Sequence, residues 1–133
     1  MRNEFRGNGN LADAPTLKSL NVDGEARSIA EMRVFFDRTR DDGHGGLADK
    51  GGFWLDVTVW NETLAERCAR LLVKGARIHV AGELEHQSWT SKESGAEKSA
   101  LQLHASEVYF GLARIESVTL RAPRTRESEA AAA

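Results

Sequence analysis

Phe53-Trp54-Leu55-Asp56-Val57-Thr58-Val59-Trp60 alternates between two faces. Phe53, Leu55, Val57 and Val59 fall on one side and Trp54, Asp56, Thr58 and Trp60 on the other, the period of two that marks a half-buried strand. The period then changes. Across residues 61–74 the larger apolar side chains are Leu64, Cys68, Leu71 and Leu72, spaced i, i+4, i+7 and i+8 on one helical face. Thr63 with Glu66 offers a capping box, Asn61 a single-residue cap, and Gly75 a left-handed stop.

Outward from this strand–helix unit the two-residue rhythm returns. Residues 28–36 put Ala30, Met32, Val34 and Phe36 on one face and Glu31, Arg33 and Phe35 on the other. Ile78, Val80 and Leu84 alternate after Gly75, Leu101, Leu103 and Ala105 do so further on, and a weak first strand covers residues 5–11. Residues 37–52, rich in glycine and aspartate, and the small polar residues 90–98 read as loops. This order predicts an all-β fold: a five-stranded antiparallel Greek-key barrel of the OB type, with one α-helix between strands three and four.

The chain has 133 residues, enough for one domain, and no internal repeat. Beyond residue 119 no apolar side chain larger than Ala or Pro follows Leu120, so residues 1–119 are expected to form the domain and 120–133 a flexible tail. No apolar run approaches the ~20 residues of a membrane span, and the first residues lack the apolar core of a signal peptide. The single cysteine excludes an internal disulfide and fits a reducing cytoplasm. Eighteen Lys and Arg against 20 Asp and Glu give a net charge of −2. That balance excludes a protein that holds nucleic acid by bulk positive charge alone.

Any binding of nucleic acid must therefore come from local geometry, and the rings supply it. The inner face of the 53–60 strand is already filled, so Trp54 and Trp60 fall beside Asp56 and Thr58, where polar side chains are usual. Phe35 with Arg33 repeats the theme one strand earlier, and Trp89 stands at the foot of the second loop. Rings so placed either stack on bases, at ~1–3 kcal/mol per base, or cover a protein interface or a barrel end. Arg38, Arg40 and Lys50 bracket the first loop, either as solvated charges or as a phosphate track.

Chemistry of other kinds finds no support. The four histidines (His44, His79, His86 and His104) have no metal-ligand spacing. Gly43-His44-Gly45-Gly46 lacks the Lys-Ser/Thr of a phosphate-cradling loop, Asp41 and Asp42 sit on a loop that neither fixes nor dries them, and no serine lies in a nucleophile elbow. Cys68 is expected in the core. The expectation is a non-enzyme without cofactor or metal.

Gly9-Asn10-Leu11-Ala12-Asp13-Ala14-Pro15, the 54–60 strand, Leu64-Ala65-Glu66 and the run from Leu72 to Leu84, with Trp89 at matching spacing, together resemble the bacterial single-stranded DNA-binding proteins. The resemblance covers residues 9–109. It implies an OB fold and sequence-nonspecific binding and protection of single-stranded DNA in replication, repair or recombination. It also implies a homo-oligomer, a tetramer with a dimer as the alternative, in the bacterial cytoplasm at the nucleoid. Trp54, Trp60 and Trp89 match stacking positions, position 60 being commonly Phe in the family, and Lys74 matches a recurrent basic position. The expected nucleic-acid-binding set is Trp54, Trp60, Trp89, Phe35, Arg33, Arg38, Arg40 and Lys74. RNA remains an alternative ligand, since nothing in the residues reads a 2′-hydroxyl.

Departures mark a divergent member. A further family aromatic falls near Arg40, so that site either acts through a guanidinium plane or is lost. Positions matching Asp56, Glu85, Gln87 and Ser88, often basic in the family, are acidic or neutral here. The residues Ser128-Glu129 and four alanines do not form the family's aromatic-tipped acidic tail, so recruitment of repair enzymes by that route is not expected. A second reading, an OB-fold interaction module that has lost DNA binding and uses the Trp54/Trp60 face for protein, draws on the acids Asp56, Glu83 and Glu85.

Overall fold

The computed structural model describes residues 3–41 and 47–123, with side chains described for 3–37 and 51–123. Six strands, one α-helix and one 3₁₀ turn follow in the order β1 (Glu4–Leu11), β2 (Thr16–Val22), β3 (Glu25–Asp41), β4 (Leu47–Val59), α1 (Glu62–Leu71), β5 (Arg77–Thr90), β6 (Glu97–Phe110) and η1 (Leu112–Arg114). The sheet runs β1-β5-β6-β4-β3-β2, and a further β1–β3 pairing closes five of its strands into a barrel. The all-β barrel with a helix between its third and fourth barrel strands is as the alternation predicts.

Two features correct the expected sheet. β2 was not anticipated; it is almost wholly exposed and hydrogen-bonds only to β3, so its side chains carry no two-faced pattern. Its signal is the turn: Asp23 (φ 52°) and Gly24 (φ 84°) both take positive φ, the backbone of a two-residue hairpin that favours Asp-Gly. β1 and β2 share one edge of β3, β2 along residues 25–31 and β1 along residues 34–36. The second correction is at the seam: β4 and β6 pair in parallel, Asp56 opposite Gln102 and Val59 opposite Ala105, where an all-antiparallel sheet was expected.

The expected loop at residues 37–52 is mostly strand. β3 continues to Asp41 and β4 begins at Leu47, with Thr39 opposite Asp49 and a register irregularity between Asp37 and Thr39. The ladder's hydrogen bonds hold this polar stretch, which has no apolar pattern to announce it. The tip at residues 42–46, with Asp42 and the glycine run, lies outside the described residues.

The core is the inward set of every barrel strand. Ala30, Met32, Val34 and Phe36 from β3, Leu55, Val57 and Val59 from β4, Ile78 and Val80 from β5, Leu103 and Ala105 from β6, and Leu11 from β1 are buried together. Each large aliphatic among them contributes ~1.5–3 kcal/mol by leaving water. Asn61 caps α1 by accepting from Leu64 N–H at 2.9 Å, and the helix seats Ala65, Cys68 and Leu72 against this core. Leu71, expected on the buried helix face, is exposed, and the buried stripe runs through Ala65, Cys68 and Leu72 instead. Gly75 has φ 83° as expected of a stop, but it sits beyond the C-cap Leu72.

Two more inward expectations fail where the strands run outside the β4–β6 seam. Phe53 is exposed over 44% of its surface and packs edge-on to Phe5 and stacked with Phe36, opposite it on β3 in the middle of β4. Leu101 lies half exposed before β6 enters the barrel. Gly82 permits the close approach of β5 and β6: a Cβ there would lie 2.1 Å from the His104 carbonyl oxygen, beside the register shift at Ala81/Gly82.

Candidate nucleic-acid interface

The outward residues of β3 and β4 face each other in register: Phe35 opposite Trp54, Arg33 opposite Asp56, and Glu31 opposite Thr58. Antiparallel pairing brings such side chains within contact range. Phe35 and Trp54 meet at a ring-centroid distance of 5.0 Å, and the Arg33 guanidinium lies 5.2 Å from the Trp54 centroid. The three indoles all remain accessible, Trp54 at 47%, Trp60 at 43% and Trp89 at 48%. Along β4, six residues at ~3.3 Å each put Trp54 and Trp60 about 20 Å apart on the same face.

A groove of 390 Å³ opens beside this row, lined among others by Arg33, Asp56, Gln87, Trp89 and Gln102. Trp89 thus joins the face from β5, although its own strand neighbours carry no apolar pattern. Thr58, expected in solvent, is buried at 2% exposure and accepts from Gln102 Nε2 at 2.6 Å. The strand on each side of β4 closes over its short side chain, while the longer Trp54, Asp56 and Trp60 project beyond.

Electrostatics on the face are nearly balanced. Arg33 Nη1 donates to Asp56 Oδ1 at 2.9 Å, and Lys18 Nζ to Glu31 Oε2 at 2.7 Å. Asp13, also on the groove, accepts from the N–H of Ala14. At the other end of the row, Trp60 Nε1 donates to His104 Nδ1 at 2.8 Å, and His104 Nε2 lies 2.9 Å from Glu85 Oε2. His104 and Gln102 were missed as members of this face. Their signal was available, since both alternate against the buried Leu103.

Of the expected binding set, Arg33 and Trp89 line the groove, Trp54 and Phe35 adjoin it through their contact with each other and with Arg33, and Trp60 lies on the same face beside His104. Lys74 stands apart: it lies exposed on the turn after α1 and lines a different depression, with Leu71, Arg77, Phe110 and Arg114. Arg38 and Arg40 lie on β3, and Lys50 on β4, but their side chains fall outside the described residues. Among the described residues no three His, Cys, Asp or Glu side chains cluster to hold a metal ion, and no helix is long and apolar enough to cross a membrane.

Comparison with protein families matches residues 3–111 to the Single-strand binding protein family. The chain belongs to this family. Two single-strand binding relatives illustrate the likeness. The single-stranded DNA-binding protein of Corynebacterium glutamicum is 34% identical over 121 residues, 87% of this chain and 50% of its own length. That of Paenarthrobacter aurescens is 32% identical over 103 residues, 75% of this chain and 56% of its own. The chain thus spans about half the length of the curated relatives it matches. Two solved structures of single-strand binding proteins share the fold. A small single-stranded DNA-binding protein from Streptomyces coelicolor superimposes with a TM-score of 0.69 at 18% identity, covering 86% of this chain and 98% of its own. The Plasmodium falciparum protein, solved in complex with ssDNA, gives 0.67 at 22% identity, covering 83% and 95%.

Proposed function

We propose that this protein binds single-stranded DNA without sequence preference and without catalysis. Bases stack on Trp54, Phe35 and Trp89, with Trp60 extending the platform, and Arg33 reaches the backbone. The observation that carries the reading is the placement of large accessible rings in register beside one open groove. Every base has a π-face, so such a platform is indifferent to sequence. Family membership and a structural neighbour solved with ssDNA support it over an interaction module that has lost DNA binding.

Arg38, Arg40 and Lys74 complete the proposed set as contacts to the nucleic-acid backbone. The setting we propose is coating of exposed strands during replication, repair or recombination, as a homo-oligomer at the bacterial nucleoid.

Quenching of tryptophan fluorescence by oligo-dT across a salt series tests this reading. Saturable quenching at low salt is expected, weakening with added salt along a shallow slope because Arg33, the cation lining the groove among the described residues, is already paired with Asp56. Absence of quenching at low salt overturns it.

A further inference from the structure

We infer that His104 and Glu85 are positioning residues that hold the Trp60 ring for stacking through a relay locked to one tautomer. The inference rests on the reading of this face as a surface for single-stranded nucleic acid. It begins with donor and acceptor counting. The indole Nε1–H only donates, so His104 Nδ1, 2.8 Å away, must accept. An ionised carboxylate only accepts, so His104 Nε2, 2.9 Å from Glu85 Oε2, must carry the hydrogen. Both contacts demand the same neutral imidazole, and each nitrogen's partner fixes the role of the other.

The rest of the surroundings hold the imidazole in place. His104 is 22% exposed in its side chain while Glu85 is 56% exposed. In the ladders His104 faces Thr58 of β4 and Glu83 of β5; with Glu85, also on β5, these are the titratable or hydroxyl-bearing groups facing it among the described residues. The imidazole lies 6.1 Å from the Trp60 ring, centroid to centroid, and tilted by 41°, so it grips the indole by its nitrogen edge and leaves its face free. A ring held at its edge keeps one orientation and loses less freedom when a base arrives.

Protonation opens the latch. An imidazolium carries hydrogen on both nitrogens, which sets Nδ1–H against the indole N–H, two donors with no acceptor between them.

Two measurements test the inference. The first needs no DNA: the Trp60 indole proton–nitrogen resonance, assigned by its loss in Trp60→Phe, is followed from about pH 8 to about pH 5 beside the imidazole signals of His104. The indole signal is expected to move with His104, and His104→Gln, whose amide oxygen accepts at every pH, is expected to remove that dependence. An indole signal that stays still while His104 titrates overturns the latch.

The second measurement is oligo-dT affinity at about pH 8, where imidazole brings no charge. His104→Ala is expected to weaken binding roughly tenfold, a large part of one stacking contact, and His104→Gln to restore most of it. In a Trp60→Phe background, which keeps the ring and deletes the N–H, His104→Ala should cost nothing further. An equal loss in both backgrounds means a merely structural role and overturns the positioning. If the indole moves with His104 but no oligonucleotide binds wild type, the latch stands and the DNA reading fails.

Discussion

Arg33 is tied to Asp56: its guanidinium donates at 2.9 Å across the β3–β4 ladder while lying 5.2 Å from the Trp54 ring. Arg33 is the one cation among the described residues lining the groove, so a phosphate arriving there must compete with a carboxylate already in place.

Asp56→Asn is therefore expected to tighten oligo-dT binding about three- to tenfold, in line with ~1 kcal/mol for an exposed charge pair. The plot of log affinity against log salt should steepen by about 0.7, the contribution of one further phosphate contact on a single strand. Unchanged affinity and slope would show that the backbone does not pass Arg33.

Trp54→Ala should weaken the same binding by ~1–3 kcal/mol while the solution mass of the protein stays as it is. Both readouts matter: a change of mass with no change in affinity would assign the ring to a protein contact.

Gly82→Ala is expected to destabilise the fold by about 2–3 kcal/mol, the usual scale of overpacking. The added methyl would meet backbone, the His104 carbonyl oxygen at 2.1 Å, not a side chain able to swing away. Urea denaturation followed by tryptophan fluorescence measures it. Because His104 carries the latch on Trp60, the surviving folded fraction should also show a shifted indole resonance.

Burial pushes the Cys68 thiol up from 9.0 to about 11. The folded protein should resist iodoacetamide at pH 8 and react once unfolded, as mass spectrometry would show. The linked stability has a definite sign. With the folded value above the unfolded one, the contribution is complete below pH 9 and is lost as pH rises towards about 11. Cys68→Ala should flatten that part of the stability profile, and an identical profile would show that the thiol is not the group responsible.

Sequence patterning was informative wherever one side of a strand meets the core and the other meets solvent. Leu55, Val57 and Val59 alternate with Trp54, Asp56 and Trp60, and the structure keeps that order. It was silent elsewhere: β2 is exposed on both sides, and the extensions of β3 and β4 beyond Phe36 and before Phe53, polar in sequence, are paired through the backbone ladder. Alternation also misled outside the β4–β6 seam, where Phe53 and Leu101 keep the right parity but are left exposed. At the site, aromatic residues were legible because rings on a polar face are unusual. The pairing of Arg33 with Asp56 and the grip of His104 on Trp60 were not, since both depend on register between strands that sequence alone does not align.

The parallel seam between β4 and β6 has a kinetic consequence. It joins residues 56–59 to residues 102–105, across the whole of α1 and β5. No local hairpin can make that contact, so the ring closes only after a long loop has been drawn in, and its entropy is lost before the reward arrives. Folding should be correspondingly slow. Until β6 docks, β4 and β5 each present a bare row of amides and carbonyls, which makes the nascent barrel prone to self-association during synthesis.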